Sequence, residues 1–221
     1  GLHEEWPDVV RAVADAGADA IEIGIPFSDP VMDGPVIQEA SELALGDGAT
    51  PLTVLDTLST IDAGVPLAVM TYYNLAFHMG HERFASSLYE AGVRAAILPD
   101  LPLEEVGPWA RAAPTAPDDR LPRVVARARG FVYAVGLLGV TGERDALAES
   151  SLVIAGRLKA ITDKPVLVGV GVSNGAQAAE VSTVADGCVI GSALMRRVVA
   201  GEGPSGAGAF IAEVRAALDA S

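Results

Sequence analysis

Two carboxylates early in the chain have the type and spacing needed for acid/base chemistry. Glu22 lies inside the apolar run at residues 20–25, and Asp33 lies in the polar loop at residues 26–35 that follows it. Because strand side chains alternate between faces, Glu22 projects from the strand face that lacks bulky residues. A buried, unpaired carboxylate tends to take up a proton, which suits a general acid/base. A salt bridge to an interior Arg or Lys is the alternative interpretation.

The loop at residues 26–35 holds two aspartates whose roles stay open at this level. Asp29 is followed by proline and Asp33 by glycine, and both pairs are ordinary turn formers. Asp33 also closely precedes a helix predicted at residues 36–45, so it could cap that helix rather than contact a ligand.

Two glycine-rich turns late in the chain favour an anion site. They occupy residues 169–173 and 190–193, and the second runs directly into a helical pattern. Backbone N–H groups at a helix start hold phosphate well, although glycines needed only for tight turns are the alternative. The formal net charge is −14, from 15 Lys and Arg against 29 Asp and Glu. This balance argues against a nucleic-acid partner and requires any anionic ligand to be held locally.

Two further features lie between these regions. The segment at residues 139–144 has the small, polar composition of a mobile loop, which could close over a ligand or be an ordinary surface connection. Tyr133 alternates with Phe131 on one strand face, where it could line a cavity or pack within it.

Short apolar runs separated by amphipathic segments would position these residues. The pattern is typical of parallel strands covered by helices. A (β/α)8 barrel forming a single domain over residues 1–221 fits best, with a doubly wound open sheet as the runner-up. The predicted strands are residues 20–25, 65–71, 95–98, 131–135, 165–170 and 187–190. The predicted helices are residues 7–15, 36–45, 52–61, 82–90, 103–112, 150–161, 175–184 and 208–218.

The strand count falls short of a closed barrel, because six strands are found where eight are needed. One strand is missing ahead of the first helix and another near Pro114, where residues 114–117 join two helical segments. We expect that two strand segments are not represented in this sequence. A short helix-to-helix connection is the alternative near Pro114.

Composition excludes several classes of protein. Hydrophobic residues make up 50% of the chain, but no apolar run approaches the ~20 residues of a membrane span, and no leader pattern is visible. A cytoplasmic protein is predicted. Cys188 is the single cysteine, which excludes an internal disulfide. The three histidines offer no metal-ligand spacing beyond a weak pair at His78 and His81, so no metal site is predicted.

Several segments together closely resemble the family of tryptophan synthase alpha subunits. The run at residues 24–30 followed by residues 33–35 is highly specific to that family, and residues 71–74, 99–102, 139–142 and 190–193 also match. The resemblance covers essentially the whole chain. It implies a (β/α)8 barrel acting as a lyase, which cleaves indole-3-glycerol phosphate into indole and glyceraldehyde 3-phosphate by a retro-aldol reaction without a cofactor.

The resemblance also implies roles for individual residues. Glu22 matches the acid/base and Asp33 the carboxylate that engages the indole N–H. Thr141 matches a closing-loop threonine and Tyr133 an active-site tyrosine. Matches to phosphate contacts are Gly142, Gly171, Gly191 and Ser192. Matches to the indole pocket are Tyr72, Ile37 and Val170, the last standing where a larger aromatic residue is common. Matches near a subunit interface are Asp29, Asn74 and Pro102.

The family works as an α2β2 complex, so the resemblance implies a beta-subunit partner that carries pyridoxal phosphate. Two alternatives stay open. Another phosphate-binding barrel enzyme would want a strand-end lysine, but Lys159 and Lys164, the only lysines, fall in or just after a helix. A non-catalytic subunit that regulates a beta chain would not need two carboxylates in a pocket.

Overall fold

Parallel strands alternate with helices along the chain. The structure is a computed structural model, which describes residues 2–101, 121–128, 130–134, 149–169 and 171–221. Two compact units are present, one formed by Gly1–Asp100 with Met195–Arg215 and the other by Leu101–Leu194 with Ala216–Ser221. Each contains a sheet of three parallel strands. The single domain over residues 1–221 stays a prediction.

The first unit is built around a sheet whose order follows the chain, β1-β2-β3. Its elements are α1 (Leu2–Asp15), β1 (Ile21–Gly24), α2 (Pro35–Gly46), α3 (Pro51–Leu58), β2 (Leu67–Met70), α4 (Tyr73–Met79), α5 (His81–Glu90) and β3 (Val93–Ile97).

The second unit repeats this arrangement with the order β4-β5-β6. Its elements are α6 (Leu121–Arg127), β4 (Val132–Ala134), α7 (Glu149–Lys159), β5 (Val166–Val168), α8 (Gly175–Ser182) and β6 (Gly187–Cys188). Two last helices, α9 (Ser192–Val199) and α10 (Gly203–Asp219), each contribute residues to both units.

Local sequence explains where several helices begin. Helices α2 and α3 each start with proline, whose fixed φ suits the first helical position. Thr50 caps α3, since its hydroxyl accepts the Thr53 N–H, while the Thr53 hydroxyl accepts the Thr50 N–H at 2.9 Å. Asn174 caps α8 by accepting the Gln177 N–H at 3.0 Å.

The sheet of the first unit has one densely covered face and one face with room beside it. In β2, Leu67 and Val69 are buried. On the other face, the strand register places Glu22 beside Ala68, and Ala68 beside Ala95. Because its neighbours on that face are alanines, the Glu22 side chain has space around it.

The sheet of the second unit shows the same alternation. Val132, Ala134, Val166 and Val168 are fully buried, whereas Tyr133 and Leu167 between them are half-buried. At the amino end of this sheet, Asp186 accepts the Val166 N–H at 2.8 Å and both of its oxygens lie 2.8 Å from the Lys159 ammonium. This carboxylate therefore joins β5 to α7.

All six predicted strands are present, with small differences in length. β3 begins two residues before the predicted start, and β5 and β6 end earlier than predicted. Together with the similar structures described below, the parallel strands and helices confirm the α/β fold. Residues 102–120, which include Pro114 and the helix predicted at residues 103–112, lie outside the described residues.

The helix predictions differ from the structure mainly at four places: α4 and α6 were not predicted, and α1 and α10 each begin five residues before the predicted start. α1 begins at Leu2 and not at Pro7, because the helix accommodates this proline in its interior, although proline is favoured in the first turn. No helix was predicted directly after the strand at residues 65–71, yet Tyr73 and Asn74 belong to α4. Within the described residues, no helix is long and apolar enough to cross a membrane.

Candidate active site

The loops that leave the three strands of the first unit lie at one edge of its sheet, because parallel strands end on the same side. These loops carry Asp33 after β1, Tyr72 after β2 and Asp100 after β3. Glu22 lies within β1, two residues before the strand ends. Side chains from strands distant in sequence thus reach one carboxyl-end edge, where sites on such sheets form.

Tyr72 connects two of these loops. Its buried hydroxyl donates to the Asp33 carboxylate at 3.0 Å and accepts the Met32 N–H at 2.9 Å. Its ring stacks on Phe27, with 5.0 Å between ring centroids. The phenol therefore fixes both the carboxylate and the loop that carries it.

The Asp33 carboxylate does not cap α2, which was the alternative left open by the sequence. Gly34 occupies the cap position and makes no side-chain cap bond. The backbone carbonyl of Asp33 accepts a hydrogen bond from Gln38 Nε2 at 2.8 Å. Since the main chain is held by α2 and the carboxylate by Tyr72, the orientation of Asp33 is set from two directions.

Burial, and to a smaller degree the negative charge of Asp33, together raise the pKa of Glu22 to about 7. A salt bridge would instead lower the pKa of this carboxyl. Among the described residues, no Arg or Lys pairs with Glu22. Near neutral pH the group therefore populates both its protonated and ionised forms, which allows it to give and to accept a proton.

The pKa values of Asp33 and Tyr72 are also raised. Burial raises the pKa of Asp33, and the hydrogen bond from Tyr72 acts against this shift. Burial is the main cause of a rise in the pKa of Tyr72 to about 12, to which Asp33 and Asp100 add and which the Met32 N–H opposes. Tyr72 consequently keeps its proton at neutral pH and acts as a donor to the Asp33 carboxylate.

The edge of the second unit is built from backbone. Gly171 follows β5 with φ of +88°, a conformation that glycine adopts without strain. Gly191 and Ser192 follow the neighbouring strand β6, and Ser192 is the first residue of α9. Because β5 and β6 are hydrogen-bonded neighbours, their exit loops lie at the same edge. Free N–H groups in such turns suit an anion.

Tyr133 lies in β4 of the same unit, half-buried, with its ring directly over Gly169. A Cβ atom at Gly169 would overlap the phenol ring, so only glycine fits beneath Tyr133. The phenol is thus oriented by contact with the backbone at the end of β5.

The remaining predicted residues are distributed as follows. Ile37 is half-buried in α2. Asp29, whose carboxylate accepts the Ser28 hydroxyl at 2.5 Å, and Asn74 in α4 are exposed, as expected of surface residues. Pro102, Thr141, Gly142 and Val170, together with the loop at residues 139–144, lie outside the described residues.

Sequence reasoning missed three residues at this edge. Phe27 stacks on Tyr72 and was visible only as part of the specific motif at residues 24–30. Val31 is 76% exposed and Phe77 is 62% exposed. An exposed aromatic side chain in the helix that follows Tyr72 is a signal for a contact surface, but no helix was predicted at this position.

Neither histidines nor lysines add chemistry to this edge. The described residues contain no group of His, Cys, Asp and Glu suited to a metal ion. The His81 ring lies in hydrogen-bond contact with the Tyr73 hydroxyl at 3.0 Å. Lys159 pairs with Asp186, and Lys164 donates to the Val125 carbonyl at 2.6 Å. A barrel enzyme relying on a strand-end lysine is therefore disfavoured.

The chain is similar in sequence to a family of known proteins. The family profile described as Tryptophan synthase alpha chain matches residues 2–214. The tryptophan synthase alpha chains of Thermobifida fusca and Streptomyces coelicolor are both 44% identical to the chain; the alignments cover 86% and 87% of the chain, and 77% and 76% of those relatives.

Solved structures agree with this relationship. Mycobacterium tuberculosis tryptophan synthase superposes with a TM-score of 0.88 at 37% identity, covering 96% of the chain and 86% of that structure. Tryptophan synthase subunit alpha from Legionella pneumophila gives a TM-score of 0.85 at 29% identity, covering 98% and 87%. The chain belongs to the tryptophan synthase alpha chain family, whose lyase activity cleaves indole-3-glycerol phosphate in tryptophan biosynthesis.

Proposed function

We propose that Glu22 is the proton-transferring residue of this cleavage. Breaking the bond between indole C3 and the glycerol carbon requires C3 to gain a proton and the glycerol hydroxyl to lose one. A carboxyl with a pKa of about 7 can serve in both protonation states. The small side chains of Ala68, beside Glu22, and of Ala95, beside Ala68, leave space for a planar ligand.

We propose that Asp33 binds the indole N–H. Protonation at C3 places positive charge on the indole nitrogen, and a carboxylate facing that N–H stabilises the charge as it develops. The Tyr72 hydroxyl favours the ionised form of Asp33, since its hydrogen bond opposes the rise in pKa caused by burial. Glu22 and Asp33 thereby divide the work, one moving protons and the other stabilising charge.

The substrate phosphate is assigned to the backbone of Gly171, Gly191 and Ser192, with Gly142 as a further contact from the sequence motif. The loops after β5 and β6 leave neighbouring strands, and α9 begins at Ser192. A chain with a net charge of −14 needs such local N–H donors to hold an anion.

By family resemblance, Tyr72, Ile37 and Val170 are assigned as contacts of the indole ring, and Tyr133 as an active-site tyrosine. Tyr72 and Phe27 present a rigid aromatic pair whose position is fixed by hydrogen bonds at the Tyr72 hydroxyl. Thr141 is assigned to a loop that closes over the bound substrate and excludes water.

The partner we propose is a tryptophan synthase beta subunit, assembled as α2β2. The exposed side chains of Val31 and Phe77, near Asp29 and Asn74 in sequence, offer apolar area for such a contact. Pro102 completes the proposed interface. The alpha chain family needs no cofactor, and pyridoxal phosphate resides in the beta subunit. A cytoplasmic location follows from this biosynthetic role.

The position of Glu22 in β1, beside Ala68 and at the sheet edge that also carries Asp33, is the observation that carries the proposal; its raised pKa agrees with it, and Glu22→Gln tests it. Indole release from indole-3-glycerol phosphate should fall by about 10²–10⁴-fold, because the amide cannot transfer a proton. Binding to the beta subunit should be retained. Glu39→Gln, which alters an exposed carboxylate on α2, is the matched control and should release indole at the normal rate.

Two outcomes would overturn this assignment. Normal indole release by folded Glu22→Gln would remove Glu22 from the chemistry. A wild-type chain that stimulates the beta subunit but releases no indole, alone or in complex, would instead support the non-catalytic regulatory subunit.

A further inference from the structure

Gln177 is a buried polar side chain at the start of α8, only 6% exposed. Its side-chain carbonyl oxygen accepts two hydrogen bonds from one residue, the Ser173 N–H at 2.7 Å and the Ser173 hydroxyl at 2.9 Å. In contrast, the buried hydroxyls of Thr71 and Ser151 have no hydrogen-bond partner. The buried side-chain oxygen of Gln177 is therefore hydrogen-bonded to the loop that precedes α8.

These bonds differ from an ordinary helix cap. In the capping box of α3, the Thr53 hydroxyl accepts the N–H of Thr50, the cap residue itself. In α8 the cap residue is Asn174, and its side chain already accepts the Gln177 N–H at 3.0 Å. The Gln177 side chain reaches one residue further, to Ser173, and therefore holds the loop in addition to the helix.

The loop so held is the exit of β5. Gly171 adopts φ of +88°, Val172 is buried, and Ser173 carries both bonds to Gln177. The side chain of Val172 and the Gln177 bonds fix the main chain on the carboxyl-terminal side of Gly171. Because backbone N–H groups bind an anion only when they converge on it, a fixed loop gives a stronger site than a mobile one.

We propose that Gln177 is a positioning residue for the substrate phosphate, holding the loop at residues 171–173 in its anion-binding conformation. This inference rests on the proposed assignment of the phosphate to Gly171. Gln177 contributes to the affinity for the phosphate group, and the chemical step at Glu22 does not depend on it.

Gln177→Met tests the inference, since methionine fills a similar volume without an oxygen acceptor. The probes are indole-3-propanol phosphate and indole-3-propanol, which share the ring and differ in the phosphate. We expect about tenfold weaker inhibition by the phosphorylated compound. This is the effect of losing roughly one hydrogen bond between the loop and the phosphate when the loop is no longer held in place. Inhibition by indole-3-propanol and kcat at saturating substrate should stay unchanged.

Two further variants separate positioning from a general loss of stability. Ser173→Ala removes the hydroxyl bond and keeps the N–H bond, so the same selective loss should appear at smaller size even if Gln177→Met does not fold. Thr53→Val removes the corresponding acceptor at α3 in the other unit and should change neither inhibition constant.

The outcomes distinguish this inference from the proposed function. If the wild-type enzyme binds both compounds equally well, the phosphate assignment itself fails. If the wild-type enzyme prefers the phosphorylated compound and Gln177→Met and Ser173→Ala both keep that preference in full, only the role of Gln177 is overturned. An equal loss of affinity for both compounds also overturns it.

Discussion

The two units carry different chemistry at the carboxyl edges of sheets with the same three-stranded parallel order. In the first unit the edge holds side chains with raised pKa values, Glu22, Asp33 and Tyr72. In the second it holds glycines and a helix start at Gly171 and Gly191. Moving a proton requires a group that changes charge near neutral pH, whereas holding an anion requires fixed N–H groups. The same three-stranded arrangement therefore serves both tasks: side chains act at the edge of the first sheet, and backbone N–H groups act at the edge of the second.

The largest expected effect is a loss of folding stability near neutral pH that is caused by Glu22. Its folded pKa of about 7 lies above the ordinary value of 4.5, so the folded state holds this proton more tightly than the unfolded chain. The free energy of unfolding should therefore fall as pH rises from 4.5 to 7, by about 3 kcal/mol. Urea unfolding of wild type and Glu22→Gln across this range measures the effect as the difference between them. Parallel pH profiles would contradict it.

Asp33→Asn should reduce kcat about a hundredfold, because the amide keeps an acceptor for Tyr72 but loses the charge that stabilises the indole cation. The pH dependence of kcat should also move to lower pH, since the Asp33 charge raises the pKa of Glu22. Steady-state indole release measures both. Asp29→Asn is the control, because Asp29 lies in the same loop but is exposed. The control is measured without the beta subunit, since Asp29 is proposed to lie at that interface, and its kcat should be normal. A normal kcat for Asp33→Asn would contradict the proposal that Asp33 stabilises the charge on the indole ring while Glu22 transfers protons.

Gly169→Ala should destabilise the chain by about 1–3 kcal/mol, because the new methyl group overlaps the Tyr133 ring and forces it to move. Thermal or urea unfolding measures the loss. Gly191→Ala is the matched comparison, since within the described part of the chain no atom beyond its two chain neighbours lies within 4 Å of a Cβ there, and its stability should be unchanged. Equal stability of the two variants would show that the second edge tolerates side chains after all.

The smallest expected effect concerns Asp186 in the second unit. Hydrogen bonds from Lys159 and the Val166 N–H lower the pKa of this carboxyl. Asp186→Asn should cost about 1 kcal/mol at neutral pH, because the ion pair is largely solvent-screened. The difference from wild type should disappear as pH falls below the ordinary value of 3.8, the opposite sign to Glu22. A difference that persists there would contradict it.

The sequence predicted the features that depend on neighbouring residues. Apolar runs indicated all six strands, and the position of Glu22 among small residues on one strand face indicated its unusual environment. The hydrogen bond between Tyr72 and Asp33 joins residues 39 positions apart, so no local pattern could reveal it. The same holds for the contact between Tyr133 and Gly169.

The missed helix α4 shows why local patterns fail at this edge. Residues 71–74 are rich in aromatic and β-branched side chains, which favour strands. The Asp100 carboxylate, from the loop after β3, accepts the Tyr73 N–H at 2.8 Å and so satisfies a free donor at the first residue of α4. A tertiary contact thus supports a helix start that local propensity argues against.

The hydrogen bonds at the Tyr72 hydroxyl constrain how the loop after β1 can change in length. Adjacent residues, Met32 and Asp33, bind the same oxygen atom, while Ile25 is tied to the Met70 carbonyl at 3.0 Å. An insertion or deletion between residues 26 and 32 would strain these ends or displace the carboxylate. Among the described residues, the exposed turn at residues 46–48 has hydrogen bonds only to its own helix, so added residues are expected to be tolerated there and rejected after β1.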